Sequence, residues 1–442
     1  MSEARLWRAE AGPARLPETA ADWSLPQGLA QVLLASLQAL LALPLPLFLL
    51  TLTAMLFRPP DVDLPPFDRF AFALLALATG LRALLLRQAV YLPSSLWVPM
   101  LGLSALSLLG ALQDPFHATT WSVLAARVFV PCAMFVLAQI TFADEGCRRW
   151  LERFLLVVFA YLSLMAVASL LGAQALIFPR FILDESLGIH ADRARGPFLQ
   201  AVANGVSLNL LGLLALDRIG RRRLRGLWAV LWLAGLPLAI VATKTRAVWI
   251  SFAASLAWMS GRTGGRCLRL ATRVLVGIAC TAVFAAFCWG SHRQELSDRL
   301  QEEGPVEFRL AAYQAGWEMF LQKPLAGWGT RQVQEQLAEH IRDFRGESFA
   351  VHNTYIQILM EQGLLGFGFY AGLMIGLYRL GKVALAGGDD FVSSLRGLWP
   401  VLLAVYLVNA TFVVMNYQFV NSLLFTLAGM LAGAGKHAAA RS

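Results

Sequence analysis

Two groups of side chains in this sequence could carry out chemistry: an imidazole next to an amide, and basic side chains in short polar segments. His352 and Asn353 lie directly before a long apolar segment. A neutral imidazole there can accept a proton from an attacking hydroxyl group. Lys244 and Arg246 lie in a short connection between two apolar segments. Because planar guanidinium groups suit phosphate oxygens, these residues indicate an anion site beside a proton acceptor.

Further residues of the same kinds lie elsewhere in the chain. Arg193 and Arg195 belong to the polar segment 173–197. Glu361 follows His352 by nine residues, which is roughly 13 Å along a helix and too far for direct contact. We predict that Glu361 is a buried structural partner of a helix-facing donor and not the catalytic base. The glycines that follow it predict close helix packing, at positions Gly363, Gly366, Gly368 and Gly372.

The composition indicates that these residues are placed by membrane-spanning helices. Apolar residues make up 57% of the 442 residues and charged residues only 15%, which is typical of a polytopic membrane protein. Residues 1–28 are polar, so no cleavable signal peptide is expected, and the first span is its own signal. The net charge of +9 is attributed to basic cytoplasmic loops and not to a nucleic-acid partner. The five cysteines form no pattern typical of disulfides or a zinc site.

We predict an all-α polytopic membrane protein with about twelve transmembrane helices. Pro44 and Pro46 should kink the first of them. Loops rich in arginine alternate with loops poor in it, so both termini are expected in the cytoplasm. The predicted spans cover residues 29–56, 67–87, 91–112, 119–142, 151–172, 198–217, 226–243, 246–261, 268–290, 353–378, 396–415 and 417–435.

The segment 291–351 is the one sizeable piece between predicted spans, and it should form a helical cap on the outer side. Apolar spacing predicts one helix over Glu307 to Gln322 and a more polar one over Thr330 to Phe344, joined by a Pro/Gly turn. The predicted organisation is therefore nine transmembrane helices in 1–290, the cap in 291–351 and three transmembrane helices in 352–442.

Four separated stretches of this sequence form recognisable motifs: Arg195-Gly196-x-Phe198, Lys244-Thr245-Arg246, Arg309 with Pro324-x-x-Gly327-x-Gly329, and His352-Asn353 with Glu361-x-Gly363-x-x-Gly366. These stretches resemble motifs of the O-antigen ligase/polymerase family of membrane glycosyltransferases. The resemblance covers residues 190–380, and the last motif is its most specific part. One departure is Ala203-Asn204, where the family often has Pro-Asn.

The resemblance implies a GT-C-like fold and an O-antigen ligase. Such an enzyme transfers a glycan from undecaprenyl diphosphate to a sugar hydroxyl of lipid A–core with inversion, without metal or cofactor, on the periplasmic face of the bacterial inner membrane. The outward loops contain no Asp-x-Asp, so arginines are expected to neutralise the diphosphate. The predicted catalytic residues are His352, Arg195 and Arg246, and the predicted substrate-binding residues are Arg193, Lys244, Arg309, Asn353 and Tyr417.

Other acceptors and one other class of protein stay open. The growing glycan as acceptor would make the protein an O-antigen polymerase, and a serine or threonine would make it a protein O-oligosaccharyltransferase. The end of the chain soon after the last span favours the ligase. A lipid-glycan transporter is disfavoured because no internal repeat is visible and the basic motif residues cluster at one membrane boundary instead of near the midplane.

Overall fold

The computed structural model describes residues 27–262, 304–341, 351–382 and 389–439, apart from the single residues 60, 189, 222, 224, 225 and 331. Within these ranges the regular structure is entirely helical, with no strand, which confirms the predicted all-α class. Seven of the described helical segments are long and apolar enough to cross a membrane. The predicted total of twelve and the GT-C-like arrangement stay predictions, and the predicted span 268–290 lies outside the described residues.

The helix bounds agree with most of the predicted spans to within a few residues. Three 3-10 turns, Gln174–Leu176, Arg180–Leu183 and Gly196–Phe198, shape the long 171–200 connection. The α-helices are α1 Gln27–Ala42, α2 Pro44–Leu56, α3 Phe67–Leu85, α4 Ser94–Ala111, α5 Ala118–Leu124, α6 Val130–Thr141, α7 Glu145–Leu170, α8 Ala201–Gly220, α9 Leu227–Ala242, α10 Arg246–Arg262, α11 Gly304–Gln322, α12 Gln332–His340, α13 Thr354–Leu380, α14 Asp390–Ala410 and α15 Gln418–Ala439.

Two of the spans that precede α13 are not continuous α-helices. The first ends at Ala42 and resumes at Pro44, because proline has no backbone N–H to donate and its ring clashes with the preceding turn. The predicted interruption is therefore confirmed. The other is a π-helical turn, Ala125–Phe129, that joins α5 to α6 within one span. Turns of this type are common at functional sites, and this one contains Arg127.

The bundle is held together by close approaches at small residues. A side chain at Gly429 of α15 would overlap the Phe135 carbonyl of α6, and one at Gly376 of α13 would overlap the Ser95 carbonyl of α4. Such contacts let helix backbones approach closely, which is how helices associate in a bilayer. α14 lies between α8 and α10, and its buried Trp399 donates from Nε1 to the Leu377 carbonyl at 2.7 Å.

α11 and α12 form a small unit with its own apolar core. Met319, Leu337, Ile341 and Val351 are buried together with Met360 of α13, so this unit packs onto the first turns of α13. These helices match the two predicted in the cap. The parts of the predicted cap at 291–303 and 342–350 lie outside the described residues.

The two ends of the bundle carry different side chains and are named here by one residue each. The His352 end holds the start of α13, the 173–200 connection, the turn between α9 and α10, and the 411–417 loop between α14 and α15. The Asp390 end holds the start of α14 and the end of α8. There Arg148 contacts Asp389 at 2.6 Å, and Arg218 contacts Glu152 at 2.7 Å and Asp390 at 2.8 Å.

Candidate active site

The site is built around α13, which is broken at Gly363. The backbone of Gly363 has φ +61°, a value that residues with a side chain rarely adopt, and the helix changes direction there. A break inside a membrane leaves backbone groups without their helical partners, and these must be satisfied by protein. The break therefore needs another piece of chain against it.

That piece is the turn 324–329, which follows α11. Trp328 and Gly329 donate their backbone N–H groups to the carbonyls of Met360 and Glu361 at 2.8 and 2.9 Å. In return, Leu364 and Leu365 donate to the carbonyls of Pro324 and Leu325 at 2.8 and 3.2 Å. The Pro-x-x-Gly-x-Gly and Glu-x-Gly stretches are thus two halves of one structural unit.

The glycines of this unit are required by that docking. A side chain at Gly327 would overlap the backbone between Glu361 and Gln362, and one at Gly363 would overlap Leu325. The prediction of helix packing is wrong for Gly363, which approaches a loop. It is also wrong for Gly368, because no atom of another described segment lies within 4 Å of the place that a Cβ would occupy there.

His352 lies at the mouth of α13 and is half-buried. Asn353 caps the helix: its Oδ1 accepts from the backbone N–H groups of Tyr355 at 2.9 Å and Ile356 at 3.2 Å. Burial lowers the pKa of His352 below its usual 6.5, and the charge of Arg309 and the neighbouring His190 lower it further. The imidazole is therefore neutral at pH 7 and able to accept a proton.

The 411–417 loop is fastened to the same place. The Thr354 hydroxyl donates to the Val413 carbonyl at 2.7 Å and accepts from the Met415 N–H at 3.0 Å. Tyr417 is therefore held at the His352 end, and its role in substrate binding stays a prediction. Asn353 also lies at this end, and its side-chain oxygen Oδ1 accepts the hydrogen bonds of the helix cap.

Arg195 is buried, with 1% of its surface exposed. Its guanidinium donates from Nε to the Ile182 carbonyl at 3.1 Å, and it also donates to the carbonyls of Asp184 and Leu187. It thus binds the inner face of the 182–187 loop. These contacts favour a role in shaping the loop, and contact with a phosphate group stays a prediction for this residue.

The other basic residues meet at the turn between α9 and α10. The Ala194 N–H donates to the Ala242 carbonyl at 3.0 Å, which brings the Arg193–Arg195 segment to this turn. Lys244 has φ +47° and its Nζ lies 3.5 Å from Asp192 Oδ2. Arg246 is exposed at the first position of α10 and makes no ion pair within the described part of the chain. Two separated arginine motifs are thus neighbours at the His352 end.

The sequence reasoning missed one basic residue of this region, Arg127. Its guanidinium binds both carboxylate oxygens of Glu361 and donates from Nε to Asn416 Oδ1 at 2.7 Å. Glu361 also accepts from Gln357 Nε2 at 2.5 Å, and its prediction as a buried structural partner is confirmed. The available signal was an arginine inside the predicted span 119–142.

The described residues contain no group of three or more His, Cys, Asp or Glu side chains that could hold a metal ion. Taken together, the fold and these residues define a multi-pass helical membrane protein with a neutral histidine and several basic side chains at one end of the bundle.

Comparison with known protein families gives a match to about a third of the chain. A family model described as O-antigen ligase matches residues 228–371, which include the α9–α10 turn, α11, α12 and α13 as far as Ala371. The matched region is similar to that family, which supports the resemblance to O-antigen ligases and polymerases. A search of curated proteins gives no match.

Proposed function

We propose that this protein is an O-antigen ligase of the bacterial inner membrane. It would transfer the glycan of an undecaprenyl-diphosphate donor to a sugar hydroxyl of lipid A–core on the periplasmic face. The observation that supports the proposal is that the half-buried His352, whose pKa is lowered by burial and by Arg309, lies at the same end of the bundle as the turn that holds Lys244 and Arg246.

The proposed reaction is a single displacement. The acceptor hydroxyl oxygen attacks the anomeric carbon while its proton passes to the His352 imidazole, a role that contributes typically about 10²–10⁴-fold. The bond between the anomeric carbon and the phosphate oxygen breaks on the opposite face, so the configuration inverts. Undecaprenyl diphosphate leaves with an additional negative charge.

That charge is assigned to the exposed Arg246 and to the partly buried basic residues near it. Arg246 faces outward at the α9–α10 turn with Lys244 beside it, and Arg193 is on the adjoining segment. Charge-assisted hydrogen bonds to phosphate contribute about 1.5–3 kcal/mol each, and more when they tighten as charge develops. Arg195 would act indirectly, without touching the diphosphate. Its guanidinium would hold the 182–187 loop in place by donating hydrogen bonds to the loop's backbone carbonyls.

Three predicted substrate residues are assigned to the glycan side. Arg309 is exposed on α11 and is close enough to affect the charge of His352. Tyr417 is held beside the start of α13 by the 411–417 loop, where an aromatic ring can contact a sugar face. Asn353 positions His352 by capping α13, and its amide N–H₂ group can donate to a sugar hydroxyl.

A reconstituted assay tests the proposal. Purified protein is mixed with undecaprenyl-diphosphate glycan and lipid A–core in EDTA, without ATP or an ion gradient, and the His352→Ala variant serves as the control. The proposal expects a glycan–lipid A–core product from the wild type alone. Elongation of the donor glycan instead would identify a polymerase, and a requirement for Mg²⁺ would overturn the assignment of charge neutralisation to the arginines.

A further inference from the structure

Arg127 lies in a position where an unpaired cation would be costly. It belongs to the π-helical turn Ala125–Phe129 inside the candidate span Ala118–Thr141, and only 14% of its side chain is exposed. A charged side chain within a bilayer is rare and is held by specific partners. The identity of these partners therefore indicates what the residue does.

The partners of Arg127 belong to two different parts of the His352 end. The Nη atoms bind the carboxylate of Glu361, two helical turns into α13. The Nε atom binds Asn416 in the 411–417 loop at 2.7 Å. One planar guanidinium fork thus holds α13 and the loop together, a geometry that a lysine cannot reproduce.

A neighbouring amide strengthens the same connection. Asn421 Nδ2 donates to the Ala126 carbonyl at 3.2 Å and to the Met415 carbonyl at 2.9 Å. The π-helical turn is therefore joined to the 411–417 loop in two places. Arg127 binds Asn416 directly, and Asn421 bridges the carbonyls of Ala126 and Met415. Since Thr354 fastens the other side of this loop to the start of α13, the loop is held from both sides.

Glu361 also connects this pair to the docked turn. Its backbone carbonyl accepts the N–H of Gly329, while its carboxylate binds Arg127 and Gln357. One residue thus ties together the helix that begins beside His352, the turn that follows α11 and the span that contains Arg127. Movement of Glu361 would displace all three.

We infer that Arg127 is a positioning residue for glycan transfer, which fixes the 411–417 loop and the first turns of α13 relative to each other through its simultaneous contacts with Asn416 and Glu361. The inference rests on the proposed function. Its structural content, the ordering of the loop by Arg127, can be measured separately.

The experiment compares four variants of the full-length protein in detergent or nanodiscs. Arg127→Met removes the fork, and Arg127→Lys keeps the charge without it. Arg127→Met/Glu361→Met removes both charges, because leaving one buried charge unpaired is far more destabilising than replacing the whole pair. The fourth, Arg148→Met, is the matched control, since Arg148 is 12% exposed and contacts Asp389 at the opposite end.

Two quantities are measured for each folded variant: hydrogen–deuterium exchange of the 411–417 amides, and kcat and KM for the acceptor. Arg127→Met, Arg127→Lys and the double variant should each increase exchange of these amides at least about tenfold and lower kcat at least about tenfold. The Arg148→Met variant should lose thermal stability while its exchange in this loop and its kcat stay at wild-type values.

The outcomes separate this inference from the proposed function. Wild-type exchange in the loop of the double variant, or wild-type kcat in Arg127→Lys, would overturn the positioning role. If the wild-type protein forms no glycan–lipid A–core product, the proposed function fails. In that case the exchange data alone decide whether Arg127 orders the loop.

Discussion

The two ends of this bundle both carry several arginines, but they use them differently. At the Asp390 end, Arg148 contacts Asp389 and Arg218 contacts both Glu152 and Asp390. At the His352 end, Arg195 donates to backbone carbonyls, and Arg246 and Arg309 are exposed without an ion pair among the described residues. Several arginines of the Asp390 end are thus paired with carboxylates. The His352 end also has ion pairs, at Arg127 and Lys244, but its Arg246 and Arg309 have none among the described residues.

This difference indicates where an anionic substrate could bind. A guanidinium already bound to a carboxylate has little to offer a phosphate, because the new contact would have to replace an existing charge-assisted bond. An exposed arginine can bind a phosphate group, and a neutral imidazole at the same end can accept a proton. We therefore expect substitutions at the His352 end to change turnover and substitutions at the Asp390 end to change stability.

The largest expected effect is at His352. We expect His352→Ala to lower kcat/KM for glycan transfer about 10²–10⁴-fold, because the acceptor hydroxyl loses its proton acceptor. Product formation is measured in the reconstituted assay, with thermal unfolding as a check on folding. Turnover within threefold of wild type would remove His352 from the chemistry.

The second-largest expected effect comes from comparing substitutions of Arg246 and Arg218. Arg246→Ala should lower kcat/KM about a hundredfold with little loss of stability, because the side chain is exposed and its role is in the transition state. Arg218→Met should instead destabilise the protein by about 1–3 kcal/mol, because Glu152 loses its ion-pair partner and Asp390 loses one of its three, with kcat unchanged. The reverse pattern in activity and melting data would break the distinction between the two ends.

The docking of the 324–329 turn onto the broken helix gives a test of structure alone. Gly363→Ala should destabilise the protein by at least about 1–3 kcal/mol, because of its positive φ and the overlap with Leu325. Gly368→Ala, on the same helix in open space, should leave stability unchanged or slightly higher. Equal melting temperatures for the two variants would contradict the docked arrangement.

The smallest effect concerns pH. Since burial, Arg309 and His190 lower the pKa of His352, transfer should fall only when the pH drops below 6.5, where the imidazole becomes protonated. Arg309→Met removes a positive charge and His190→Ala removes the other group that lowers this pKa, so each variant should raise the pKa of His352 and move the acidic limb of kcat/KM to higher pH. An unchanged or opposite shift in the profile would argue against His352 as the titrating base.

The sequence predicted the helix bounds well and the internal contacts of the site poorly. Hydropathy located α3, α4, α8 and α9 to within a few residues, because long apolar segments favour continuous helices, and α4 and α8 are among the candidate membrane spans. Pro44 marked its helix break because its backbone lacks a donor. Both features depend on neighbouring residues alone.

The contacts that could not be predicted are long-range. A single arginine changes the hydropathy of a span little, so Arg127 was overlooked, and its partners Glu361 and Asn416 are far away in the chain. The glycines near Glu361 predicted helix packing, but Gly363 instead marks a break whose partner is the 324–329 turn. The carbonyls that Arg195 binds belong to irregular turns with no sequence period.

We expect the basic motif residues to share one face of the membrane and the arginine-rich Asp390 end to occupy the other. Labelling with an impermeant maleimide in spheroplasts tests this arrangement, with single cysteines replacing exposed Ala191, Arg246, Arg309 or Arg223 in a cysteine-free background. Positions 191, 246 and 309 should be labelled in intact spheroplasts, and position 223 only after lysis. If 191, 246 and 309 are labelled on different sides, or 223 together with them, the arrangement is wrong.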